Sequence, residues 1–123
     1  MSNKLKQYVE EGFEPITEWE WRDGKIRLAS LDWDEHAGWL YAFVIESEVK
    51  YVGLTRRVLR SRMDNYRDLT EEQCVRLRGL ITTECKSGTT VRIFGRRMSG
   101  DHAELEREEA KLREIPRPVW NRM

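Results

Sequence analysis

The sequence predicts an α+β fold: a small, mainly antiparallel, three-stranded sheet flanked by helices, with an N-terminal helix and hairpin in front of it. Three observations predict this. The run Trp39-Leu40-Tyr41-Ala42-Phe43-Val44-Ile45 has the length, aromatic content and β-branching of a buried strand. A short polar break, Glu46-Ser47-Glu48, separates it from a second strand-like run, Val49-Lys50-Tyr51-Val52-Gly53, and so short a connection demands an antiparallel return. Helical spacings then surround a single further strand, which gives the order β-β-α-α-β-α from residue 39.

Each element has its own signals. The first dozen residues read as a short helix stopped by Gly12. Trp19, Trp21, Ile26 and Leu28 alternate around Asp23-Gly24, the signature of a β-hairpin. Asp32 to His36 reads as an acidic loop. After Thr55, a candidate N-cap, Leu59, Met63 and Tyr66 form one apolar stripe on a helix. A second helix runs from about Thr70 through Val75, Leu77, Leu80 and Ile81, and Lys86-Ser87-Gly88 ends it. Thr89 to Phe94 is the third strand, and Asp101 with Glu104 three residues later is a capping box opening the last helix. Pro116 and Pro118 end that helix.

Composition sets the outer limits. At 123 residues the chain is one compact domain, 36% charged and 39% hydrophobic. No apolar run approaches the roughly 20 residues of a membrane helix. Met1 to Leu5 lacks the apolar core of a secretory signal, and the expected compartment is the cytosol. Cys74 and Cys85 form no CxxC pair and have no histidine at zinc spacing, which argues against a zinc site or a disulfide scaffold. The formal net charge is zero, yet residues 1–37 hold 5 Lys/Arg against 9 Asp/Glu, and residues 38–98 hold 12 against 7. A basic middle is suited to a polyanion; the plainer reading is arginines solvating helix faces.

The residues then converge on one resemblance. Trp39-Leu40-Tyr41, Tyr51-Val52-Gly53, Leu59-Arg60-Ser61-Arg62, Glu109-Ala110-Lys111-Leu112 and Arg117-Pro118-Val119-Trp120-Asn121, in this order, resemble the GIY-YIG nuclease superfamily. The resemblance implies a nuclease-like domain over 38–123, with 1–37 as an acidic extension. It also implies a DNA endonuclease that hydrolyses phosphodiester bonds with a divalent metal, Mg2+ or alternatively Mn2+. DNA, double-stranded or branched, is the implied partner, with a homodimer or a partner subunit as further options. Trp39 departs from the signature: it stands where the family has its first glycine, and Gly38 lies one position upstream. The departure either narrows the substrate groove or marks a relative that does not cut.

The resemblance places Tyr41, Tyr51, Arg62, Glu109 and Asn121 at the catalytic site, and Thr55, Arg56, Arg57, Arg60 and Tyr66 against nucleic acid. Free tyrosine titrates near pH ~10, so a tyrosine base, the role implied for Tyr51, needs a cation nearby. Arg56, Arg57, Arg60 and Arg62 are close in sequence to supply one. Both tyrosines must share a face of the hairpin, which predicts an odd loop with Ile45 opposite Val49. Arg62 would grip the phosphate through its planar fork, and Tyr66 lies four residues on, on the same helical face. Glu109 is the implied metal ligand. Independently, Leu105, Glu109 and Leu112 fall within roughly 60° on a helical wheel, so this carboxylate interrupts an apolar stripe. An Arg62–Glu109 ion pair without metal is the competing reading. Asn121 either orients water, phosphate or the tyrosines, or anchors the C-terminus beside Trp120. At the level of function, the alternative is a GIY-YIG-like module that binds nucleic acid or protein without cutting, on its own or as a subunit of a larger assembly.

Overall fold

The computed structural model describes residues 5–29, 34–99, 101–114 and 118–121. Helix α1 (Leu5–Glu10) leads through Gly12 into strand β1 (Glu14–Arg22) and its hairpin partner β2 (Lys25–Leu28). The Asp23-Gly24 pair turns the chain with φ of 55° and 77°, the double left-handed geometry of a type I′ turn. Strands β3 (Ala37–Ile45) and β4 (Glu48–Val58) form the central hairpin. Helices α2 (Leu59–Asp68) and α3 (Glu72–Lys86), strand β5 (Val91–Arg97) and helix α4 (His102–Glu114) follow, and a 3-10 turn spans Val119–Asn121. No helix among the described residues is long and apolar enough to cross a membrane.

The sheet has five strands rather than the expected three. Its order is β2-β1-β5-β3-β4, with antiparallel pairing throughout. The three expected strands are all present, and the N-terminal hairpin extends their sheet because β1 pairs with β5, Glu18 against Arg92 and Trp19 against Val91. Local patterning identifies a hairpin but carries no record of which distant strand it joins.

Two apolar layers sandwich the sheet. On one face, Trp19, Phe43, Tyr41 and Tyr51 pack with Leu59, Met63 and Tyr66 of α2 and with Leu77 and Ile81 of α3. On the other, Leu40, Ala42, Val44 and Val52 meet Tyr8 of α1 and Leu105 and Leu112 of α4. The strict alternation 40-42-44 against 41-43 follows from the pleat, which sends successive side chains to opposite faces.

The expected register of the central hairpin needs correction. Ile45 pairs with Glu48 across a two-residue turn, Glu46-Ser47, and Val49 faces Val44. Left uninterrupted, that register would put Tyr41 and Tyr51 on opposite faces. The pairing instead shifts at Lys50, so that Phe43 faces Tyr51 and Tyr41 faces Gly53. This β-bulge restores the shared face by another route than an odd loop.

Two caps also differ from expectation. Thr55 is not an N-cap: β4 continues to Val58, and α2 begins at Leu59 with no side-chain cap. Asp101 does cap α4, its Oδ1 accepting from Ala103 N–H at 3.0 Å, but Glu104 accepts from Ser99 Oγ rather than returning to Asp101. Part of the acidic loop (Asp32, Trp33) and the Pro116 helix stop lie outside the described residues.

Candidate functional site

The site is built where the tyrosine face of β3 and β4 meets α2. Tyr41 leans across β4 over Gly53: a β-carbon at Gly53 would stand 2.6 Å from Tyr41 Cζ and Oη and 2.9 Å from Tyr51 Cε2. Such distances are inside van der Waals contact, so only glycine admits both phenols at this point. The Tyr41 and Tyr51 rings lie 6.3 Å apart, and Phe43 stacks on Tyr51 at 5.6 Å.

Helix α2 delivers Arg62 and Tyr66 to the same place, four residues apart on one face. Arg62 Nε donates to Tyr41 Oη at 3.0 Å, and its guanidinium carbon sits 4.7 Å from the centroid of the Tyr66 ring. Tyr41 and Tyr66 share a hydroxyl–hydroxyl hydrogen bond. The terminal amino groups of Arg62 make no hydrogen bond among the described residues. An arginine pinned through Nε by a phenol and braced on a second ring is rotationally fixed, with its fork left to meet an anion.

The three phenols are chemically distinct. Burial pushes Tyr41 above the ordinary tyrosine value, reinforced by Tyr51 and only partly opposed by Arg62. Burial, reinforced by Tyr41, likewise raises Tyr66. Both stay protonated at neutral pH and act as hydrogen-bonding groups. Tyr51 differs in having its hydroxyl outside that pair, accepting from Gln73 Nε2 at 3.4 Å. The expectation that Tyr66 contacts nucleic acid meets a ring that is 0% exposed. Its place is beneath Arg62, in the core.

The expected backbone contacts divide. Arg56 and Arg57 at the end of β4 and Arg60 in the first turn of α2 are exposed. Thr55 is buried at 7% exposure, and its Oγ1 accepts from Arg57 N–H at 3.1 Å, a local brace for the strand end. Trp39, in the position of the family's glycine, is also buried. It lies over Gly95 of β5, where a β-carbon would stand 3.0 Å from the indole. With Leu59, Gly95, Asp34 and Arg97 it lines a cavity of about 560 Å3.

Asn121 and Glu109 approach from elsewhere. Asn121 Oδ1 accepts from Val52 N–H at 2.9 Å, and its Nδ2 donates to Val52 O at 2.9 Å. Because β4 is an edge strand, this amide takes the place of a neighbouring strand at the residue next to Tyr51. Glu109 is half-buried on α4, between Leu105 and Leu112, which pack on the face of the sheet opposite the tyrosines. The described residues bring Tyr41, Tyr51, Arg62 and Tyr66 into one cluster, bind Asn121 to the strand behind it, and set Glu109 on the helix across that strand. No cluster of three or more His, Cys, Asp or Glu able to hold a metal occurs among the described residues. Gln73 and Gly53 are the members whose roles local patterning does not reveal, because both depend on neighbours brought in by tertiary packing.

No protein-family model and no curated protein sequence matches the chain. Solved structures do. A glutamate-to-alanine mutant of bacteriophage T4 EndoII superposes with a TM-score of 0.78 at 26% identity, over 97% of this chain and 99% of that one. The restriction endonuclease HPY188I in complex with product DNA gives a TM-score of 0.60 at 13% identity, over 94% of this chain and 82% of that one. The fold is one that nucleases use.

Proposed function

We propose that the protein is a DNA endonuclease of GIY-YIG type, hydrolysing phosphodiester bonds with a divalent metal. The observation that carries this reading is the pinned Arg62: a charged fork, immobilised by Tyr41 and Tyr66 beside a separately held phenol, in a fold shared with two nucleases. A guanidinium fixed before substrate arrives needs no reorganisation as charge grows on phosphorus, which is the condition for strong electrostatic catalysis.

In this reading Arg62 binds two non-bridging phosphate oxygens and stabilises the charge that develops during attack. Tyr51 accepts a hydrogen bond from the attacking water and aligns it with phosphorus. Tyr41 and Tyr66 stay protonated and keep Arg62 in register. Asn121 holds the Tyr51 strand, and Arg56, Arg57 and Arg60 bind flanking phosphates.

Glu109 is the residue that would hold a metal. Among the described residues no cluster of further ligands accompanies this carboxylate, and one hard carboxylate would suit Mg2+, which keeps much of its hydration. When bound, the ion supplies Lewis-acid stabilisation of the phosphate and leaving oxygens. The competing module that binds without cutting has Trp39 and the near-neutral total charge as its main support. The Trp39 part of that support weakens with the indole packed over Gly95 of β5.

Supercoiled plasmid tests the reading. Wild-type protein with Mg2+ should convert it to nicked or linear forms, EDTA should stop the reaction, and Arg62→Ala should lower the rate by about 10²–10³-fold. Undiminished cleavage by Arg62→Ala would remove the observation on which the proposal rests.

A further inference from the structure

Helix α3 contributes to the cluster through one residue whose orientation is fixed by a second. Gln73 is exposed in the first turn of α3, and its Nε2 is the donor to Tyr51 Oη. No other hydrogen-bond partner of Tyr51 Oη occurs among the described residues. Three residues along the same helical face, Arg76 Nη2 donates to Gln73 Oε1 at 3.3 Å.

Arginine only donates, so Arg76 can meet only the oxygen of the Gln73 amide. The amide nitrogen is thereby turned toward Tyr51. The other terminal nitrogen of Arg76 is buried with no hydrogen-bond partner among the described residues. It follows that Tyr51 Oη is the acceptor in its contact with α3. Its own proton and second lone pair are directed elsewhere, because a hydroxyl has one proton and two lone pairs.

We propose that Gln73, oriented by Arg76, is a positioning residue for Tyr51, turning the phenol's remaining hydrogen-bonding capacity toward phosphate and attacking water. The proposal rests on the nuclease reading for its catalytic consequence but not for the contact itself. Without Gln73 the Tyr51 C–O bond rotates freely, and alignment of the water suffers more than substrate binding.

The test separates these parts. In protein labelled with 13C at tyrosine Cζ, Tyr51→Phe identifies the Tyr51 resonance by its loss. Gln73→Ala should move that resonance while leaving those of Tyr8, Tyr41 and Tyr66 in place, and Arg76→Ala should move it in the same direction by less. Gln73 is exposed, so its truncation leaves the core intact. In plasmid cleavage with Mg2+, Gln73→Ala should lower kcat about tenfold with KM unchanged, and Gln73→Asn should not restore it, because its shorter arm falls short of the phenol. An unmoved Tyr51 resonance in Gln73→Ala overturns the proposal, as does full kcat in that variant. A Tyr51 resonance moved by Gln73→Ala, together with a wild-type chain that cuts no DNA, supports the contact while overturning the nuclease reading.

Discussion

Gly53 is the residue at which the cluster is most tightly specified. A methyl group there would collide with Tyr41 at 2.6 Å, so Gly53→Ala should destabilise the fold by about 1–3 kcal/mol, the usual cost of overpacking. A lowered urea midpoint with unchanged m-value would register it. Tyr66→Phe separates a core role from a DNA contact. It removes one partner of the buried hydroxyl pair and should cost about 1 kcal/mol of stability. DNA affinity measured by fluorescence anisotropy should not move, and a tenfold loss would place the ring at the DNA surface instead. At this scale the sequence was informative about which residue types gather, since Tyr41, Tyr51 and Arg62 lie where strand and helix periodicity send them. The apolar stripe Leu59, Met63 and Tyr66 already pointed to burial of Tyr66, but the sequence was silent about Gln73, because a helix face has no local sign of which strand it will cover.

Among the elements, β4 carries the most consequence. As an edge strand it presents main-chain groups with no strand beside them, and Asn121 occupies that edge at Val52. Asn121→Ala should free both Val52 groups and loosen the seat of the 3-10 turn, so that Val52 amide exchange accelerates by tenfold or more while exchange in β3 and β5 is little changed. Unchanged protection at Val52 would deny the amide this role. The same strand shows why boundaries were harder to read than elements. Arg56-Arg57 carries no apolar alternation, and only pairing of the strand end with β3, Val58 against Ala37, extends β4 that far. The required shared face of Tyr41 and Tyr51 is present, but the odd loop drawn from it is not, because a bulge at Lys50 has no local signature.

For the whole molecule, charge and burial set the response to solution conditions. Burial pushes Tyr8 from an ordinary value of 10.0 up to about 12, and Tyr41 and Tyr66 are raised as well. Between those pH values the unfolded chain loses protons that the folded chain keeps. The associated stability is fully present below pH ~10 and is lost as pH rises through about 12, so thermal midpoints should decline over that window. A midpoint flat from pH 9 to 12 would contradict the burial of these phenols. If Arg56, Arg57, Arg60 and Arg62 carry the proposed DNA binding, they make about four phosphate contacts, for which raising salt from 50 to 200 mM should weaken affinity roughly 100-fold. A neutral chain depends on this local concentration of arginine, not on its total charge.

In the proposed function Glu109 serves the chemistry while the arginines serve binding. Glu109→Ala assayed on supercoiled plasmid with Mg2+, beside an anisotropy titration on the same DNA, tests that division directly. The expected result is cleavage reduced at least 100-fold with affinity within threefold of wild type. Wild-type cleavage by Glu109→Ala would contradict the account.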